Sequence, residues 1–113
     1  MTNFLRTEIM KIIQAHRGRE NTMPRRDLWA HLSLFKPKLT DREMRDLYSA
    51  LPICSCKDGL FLPVTAQEVQ EFREYIEKAW GPIVAHRWVA IILSFYPRLA
   101  PTWKQQNLFG GTL

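Results

Sequence analysis

Thr40-Asp41-Arg42-Glu43-Met44-Arg45-Asp46-Leu47-Tyr48-Ser49-Ala50-Leu51-Pro52-Ile53-Cys54-Ser55-Cys56-Lys57-Asp58-Gly59-Leu60-Phe61-Leu62-Pro63 is the stretch on which the reading of this chain turns. Thr40 and Glu43 have the spacing of a capping box, in which the Thr40 hydroxyl accepts from the Glu43 amide and the Glu43 carboxylate accepts from the Thr40 amide. A helix is therefore predicted from Asp41 to about Leu51. Its inward face is Met44, Leu47 and Leu51; Arg42, Arg45, Asp46 and Ser49 fall outward. Ile53-Cys54-Ser55-Cys56 and Leu60-Phe61-Leu62 then flank Lys57-Asp58-Gly59, and Asp-Gly supplies the positive backbone angles of a tight hairpin turn.

Helices are predicted on both sides of this stretch. Phe4, Leu5, Ile9, Ile12 and Ile13 recur at helical spacing with Arg6, Glu8, Lys11 and Gln14 opposite them, until Gly18 ends the pattern. Arg17 to Thr22 reads as a polar turn. Pro24 just inside a new start, followed by Leu28, Trp29 and Leu32, gives a second short helix. A connection from Leu34 to Leu39 joins it to the capped helix, so the two make a helix-turn-helix pair with a longer turn than the minimal form. After the hairpin a second capping box, Thr65-Ala66-Gln67-Glu68, opens a helix with Val69, Phe72, Ile76 and Ala79 on its apolar stripe and Glu71, Glu74, Glu77 and Lys78 on a solvated face. Gly81-Pro82 marks a kink or a fresh helix start.

From Ile83 to Tyr96 the apolar residues cover more than one helical stripe. A small domain whose core is filled by the earlier helices leaves this surface for self-association, and Trp88, Ile92 and Phe95 are the candidate dimerisation residues. The expected architecture is mainly α with a small β-hairpin (α+β), divided into a domain over 1–80, an apolar C-terminal helix over 81–101 and a tail over 102–113.

Composition narrows the function. The net charge is +5, and residues 1 to 50 carry ten Lys or Arg against six acids, whereas the rest of the chain carries six against five. A basic amino-terminal half is compatible with phosphate binding. Cys54 and Cys56 lie two apart on one strand face, too close for a mutual disulfide, and are read as reduced thiols. His16, His31 and His86 have no zinc-type spacing relative to them, so no metal is expected. No phosphate-cradling glycine loop, nucleophile elbow or paired metal ligands occur, so no catalytic residues and no cofactor are expected. The amino terminus lacks the pattern of a signal peptide, and the apolar run between Arg87 and Arg98 is too short to cross a bilayer. The expected location is cytoplasmic, with no membrane partner.

The outward arginines Arg42 and Arg45, with Ser49 on the same side, are the candidate groove contacts, because a guanidinium forks two donors onto guanine or grips a phosphate. Arg17, Arg19, Arg25 and Arg26 surround the start of the second helix, where free amide donors also favour phosphate. Lys57 at the hairpin and Lys38 before the capped helix complete the set. Trp29, Trp80 and Trp88 fall at helical apolar positions and are assigned to the core, which leaves Trp103 as the exposed aromatic able to stack a base.

Over most of residues 3 to 80 the chain resembles the winged-helix DNA-binding modules of bacterial and phage proteins. The resemblance rests on Leu39-Thr40-Asp41-Arg42-Glu43-Met44-Arg45, similar to the start of their recognition helices, and on Leu51-Pro52-Ile53-Cys54-Ser55 with Gly59-Leu60-Phe61-Leu62, which looks like their wing. The sequence departs from the pattern at Leu60, where an aromatic is usual, and at Asp46, where a base is common. The resemblance implies a non-enzymatic phage or prophage protein bound to double-stranded DNA through a recognition helix and wing. In the tail, Gln105-Gln106-Asn107-Leu108-Phe109 looks like the short Gln-x-x-Leu-Phe peptide by which bacterial replication proteins hold the sliding clamp. Gln105, Leu108 and Phe109 carry that match and imply a link to replication. Two other uses of the fold stay open: an interaction or dimerisation module, and a dimeric transcription regulator.

Overall fold

The computed structural model describes residues 1–100, and the tail motif Gln105, Leu108, Phe109 and Trp103 lie outside these described residues. Five α-helices and one antiparallel hairpin follow in the order α1 (Thr2–Ile13), α2 (Arg25–Ser33), α3 (Asp41–Tyr48), β1 (Cys54–Cys56), β2 (Gly59–Phe61), α4 (Ala66–Trp80) and α5 (Pro82–Phe95). The chain is thus mainly α with a small β-hairpin. Among the described residues no helix is long and apolar enough to cross a membrane.

Both predicted capping boxes are formed. Thr40 Oγ1 accepts from the Glu43 amide at 3.1 Å and Glu43 Oε1 from the Thr40 amide at 3.1 Å, and Thr65 and Glu68 repeat the exchange at the head of α4. Such a cap stabilises a helix start by about 1 kcal/mol. α3 is shorter than its periodicity suggested: it ends at Tyr48, with Ser49 as its C-cap. Arg6 of α1 explains how that end is held, since its guanidinium donates to the Leu47 and Asp46 carbonyls at 3.1 and 3.3 Å. These are among the carbonyls that a helix end leaves without intrahelical partners. At the other junction Gly81, with φ +92°, closes α4 by donating to the Glu77 carbonyl, and Pro82 occupies the first turn of α5, so Gly81-Pro82 is a fresh helix start.

The hairpin pairs Cys54 with Phe61, Ser55 with Leu60 and Cys56 with Gly59, leaving Lys57-Asp58 as the loop. The turn differs from the expected one. Among the described residues only glycines have positive φ, so neither Lys57 nor Asp58 adopts the mirror-image turn, and the positive angle falls on Gly59 at the start of β2. A third strand-like segment lies against this position. Met23 pairs with Leu60 through two backbone bonds of 2.7 and 2.9 Å, and a Cβ on Gly59 would collide with the Met23 carbonyl oxygen and stand 2.7 Å from its carbon. The polar turn before α2 therefore also closes one edge of the sheet, and Gly18 and His16 hold Leu62 beyond it.

Alternation along the hairpin divides the interior in two. Ile53, Leu60 and Leu62 join Leu5, Ile9, Ile13, Leu28, Leu32, Met44 and Leu47 in a core under α1, α2 and α3. Cys54, Cys56 and Phe61 point the other way into a second core with Val69, Phe72 and Ile76 of α4 and Ala85, Val89 and Ile92 of α5. The hairpin is buried on both faces, and only its loop is exposed. α5 thus buries Ala85, Val89 and Ile92 against α4 and the far side of the hairpin, while Ile83 and Phe95 stay exposed. Of the three candidate dimerisation residues, Ile92 is 1% exposed, Trp88 is half-buried and stacks on Phe72, and Phe95 is exposed.

Candidate nucleic-acid interface

α3 is the shortest α-helix among the described residues, and three of its eight residues, Met44, Leu47 and Tyr48, are buried. That burial, the cap at Thr40 and the Arg6 brace fix which side faces out. Arg42 is exposed there and has no hydrogen-bond or ion-pair partner among the described residues. Arg45, one turn on, lies with its guanidinium carbon 4.9 Å from the centre of the Trp80 ring at the end of α4. A cation over an exposed ring is worth about 0.5–1 kcal/mol, less than the ~1.5–3 kcal/mol of a hydrogen bond to a charged group, so a phosphate can draw Arg45 away. Ser49 sits at the far end, its hydroxyl donating to the Asp46 carbonyl at 3.3 Å.

The remaining predicted cations divide by what holds them. Arg25 at the head of α2 donates to the Cys56 carbonyl at 3.0 Å and so ties α2 to the hairpin. Arg26 is exposed, 4.0 Å from Asp27. Arg19 reaches the loop aspartate Asp58 at 3.3 Å, beside Lys57, and Arg17 donates to Gln14 on the α1 side. Surface pairs of this kind contribute about 0–1 kcal/mol and yield to a competing phosphate. Lys57 and Lys38 are exposed with no partner among the described residues. Lys36 is instead occupied by Glu43, and that contact, followed by those from Thr40, holds the Glu43 carboxyl below the usual glutamate range.

The structure brings Arg25 and Arg26 of α2 together with Arg45 of α3. They border a cleft of about 400 Å³ completed by Trp29, Asp41, Met44 and Tyr48. Arg19 and Lys57 border a separate hollow of about 220 Å³ under the hairpin loop, which Glu68 and Glu71 also line. Arg17 and Lys38 line neither hollow.

Two tryptophans stand where the sequence reading did not put them. Trp29 is 41% and Trp80 51% exposed, so neither is a core residue. Leu28 and Leu32, four apart, set the inward line of α2, and Trp29 is turned about 100° from Leu28. That offset was available as a signal. Trp29 Nε1 donates to the Leu39 carbonyl at 2.9 Å, which fixes the ring at the cleft.

Cys54 and Cys56 are free and buried. Burial, followed by the nearby Glu68 carboxylate and Cys56, pushes the Cys54 thiol well above its ordinary range, which disfavours the reactive thiolate. Among the described residues no three His, Cys, Asp or Glu side chains gather in a way that could hold a metal ion. No protein-family model, curated protein or solved structure matches the chain.

Proposed function

We propose that this chain is a winged-helix module that binds double-stranded DNA without catalysing a reaction on it. α3 is the recognition helix, the Met23 segment with β1 and β2 forms the small sheet, and Lys57-Asp58 is the tip of a short wing. The observation that carries the reading is the gathering of cations on one side of the fold, of which only Arg25 has a strong partner, the Cys56 carbonyl. Arg42 is unpaired on the outer face of α3, while Arg45, Arg25 and Arg26 border one cleft between α3 and the amino end of α2. A duplex laid along this side would meet arginines at base edges and at phosphates together. Asp41 and Asp46 on the same helix oppose phosphate, so the binding is of modest strength and weakly specific. The tail peptide carrying Gln105, Leu108 and Phe109 adds a second attachment, to a bacterial sliding clamp, and links the module to replication of phage or prophage DNA.

Binding of a random duplex to the full chain, measured at several salt concentrations, tests this reading. Affinity should fall steeply with salt, and Arg42→Ala should weaken binding to all sequences and reduce the slope of log affinity against log salt by about 1. No binding at low salt refutes the proposal. An unchanged slope in Arg42→Ala moves the contact to another face.

A further inference from the structure

The cleft between α2 and α3 has features that duplex binding does not use. Phosphate contacts need only donors and positive charge, yet beside its three arginines this cleft is walled by Trp29, Met44 and Tyr48. Its volume of about 400 Å³ lies in the range of sites that enclose a small organic group. Trp29 is 41% exposed although its one polar atom is already satisfied by Leu39, so the ring is held still with part of its surface open. Asp41, in the same wall, repels a phosphate but accepts from the amino groups of bases.

We infer that this cleft receives a single unpaired nucleotide of a DNA strand, its phosphate held by Arg25 and Arg26 and its base lying against Trp29. The inference rests on the duplex-binding reading and narrows it: the preferred substrate is a duplex with an unpaired end or gap, the kind of DNA that strand separation produces. A paired base cannot enter, because its ring is stacked and its edges are engaged until it leaves the helix. Base stacking on an aromatic side chain contributes enough for at least about a fivefold gain in affinity per base, and it tolerates any sequence because every base has a π-face.

The test compares, by fluorescence anisotropy with the full-length chain, three labelled DNAs. These are a blunt duplex, the same duplex carrying a few unpaired nucleotides at one end or the other, and a blunt duplex lengthened to the same number of phosphates. The wild type should bind one of the overhang forms at least about fivefold tighter than the lengthened blunt duplex. Trp29→Ala should abolish that preference, read as the ratio of overhang to lengthened-duplex affinity within the variant, whereas Trp29→Phe, which keeps an aromatic platform, should retain most of it. Equal affinity for overhang and lengthened duplex in the wild type overturns the inference while leaving duplex binding intact, and this comparison needs no variant to fold. Binding to an overhang form with none to either blunt duplex supports the cleft and removes the duplex reading. Absence of binding to all three removes both.

Discussion

Gly59→Ala probes the contact that closes the sheet. Gly59 has φ +145°, and a methyl group there would strike the Met23 carbonyl and come within 3.1 Å of Pro24 Cα. All of these are backbone atoms, so no rotamer change relieves the collision; Met23 must separate from Leu60. The separation breaks two backbone hydrogen bonds, of 2.7 and 2.9 Å, worth about 1 kcal/mol each. Forcing alanine into this backbone region adds about 1–3 kcal/mol. The expected loss is about 4 kcal/mol, a large part of the 5–15 kcal/mol that typically holds a domain together, and it corresponds to a fall in melting temperature of about 15 °C or more. Gly81→Ala is the internal control. Gly81 also has positive φ, +92°, but a Cβ there meets nothing within 4 Å, so only the conformational cost of about 1–3 kcal/mol applies. Thermal and urea unfolding of both variants measure the difference directly. If the two lose the same stability, the Met23–Leu60 pairing does not close the sheet and the reasoning fails.

Two further expectations follow from the caps and the tail. The Glu43 carboxyl is held below its ordinary range by Lys36 and Thr40, so its contribution is complete above the unfolded-state value of about 4.3 and is lost as pH falls through the lower folded value. Glu43→Gln should therefore unfold at a lower temperature than wild type at neutral pH, with the gap closing in acid below that range; a gap that persists there would show that the carboxylate charge is not its origin. Deleting residues 105–109 should abolish association with a bacterial sliding clamp, read by surface plasmon resonance, and leave duplex affinity unchanged, whereas equal clamp binding by both chains would dismiss the peptide.

Features that depend on a few neighbouring residues were the legible ones. The two capping boxes, the hairpin and the outward set on α3 each follow from local spacing, because the groups that meet are three or four residues apart or lie across a two-residue turn. What the sequence concealed depends on distant contacts. Met23 is a lone strand-like residue between Thr22 and Pro24, with no alternation to announce it, and its partner Leu60 is far along the chain. The Arg6 brace on α3 spans a separation of 41 residues. α5 looked too apolar for a small domain because one core was assumed. The residues Cys54, Cys56 and Phe61, on the reverse of the hairpin, require a second core, and α4 and α5 supply it. The cleft was half legible: its arginines were named from charge, but Trp29 was assigned to the interior although the Leu28–Leu32 line already turned it aside.

A hairpin clasped on both faces also shapes how the chain reaches its native state. Ile53, Leu60 and Leu62 are needed by the helices before it, and Phe61 and the two cysteines by the helices after it. A fragment ending near Trp80 would present Phe72, on which Trp88 of α5 stacks, to water. The amino-terminal helices and the α4–α5 pair should accordingly melt in one transition, and the hairpin amides, enclosed by both, should be among the last to exchange with solvent.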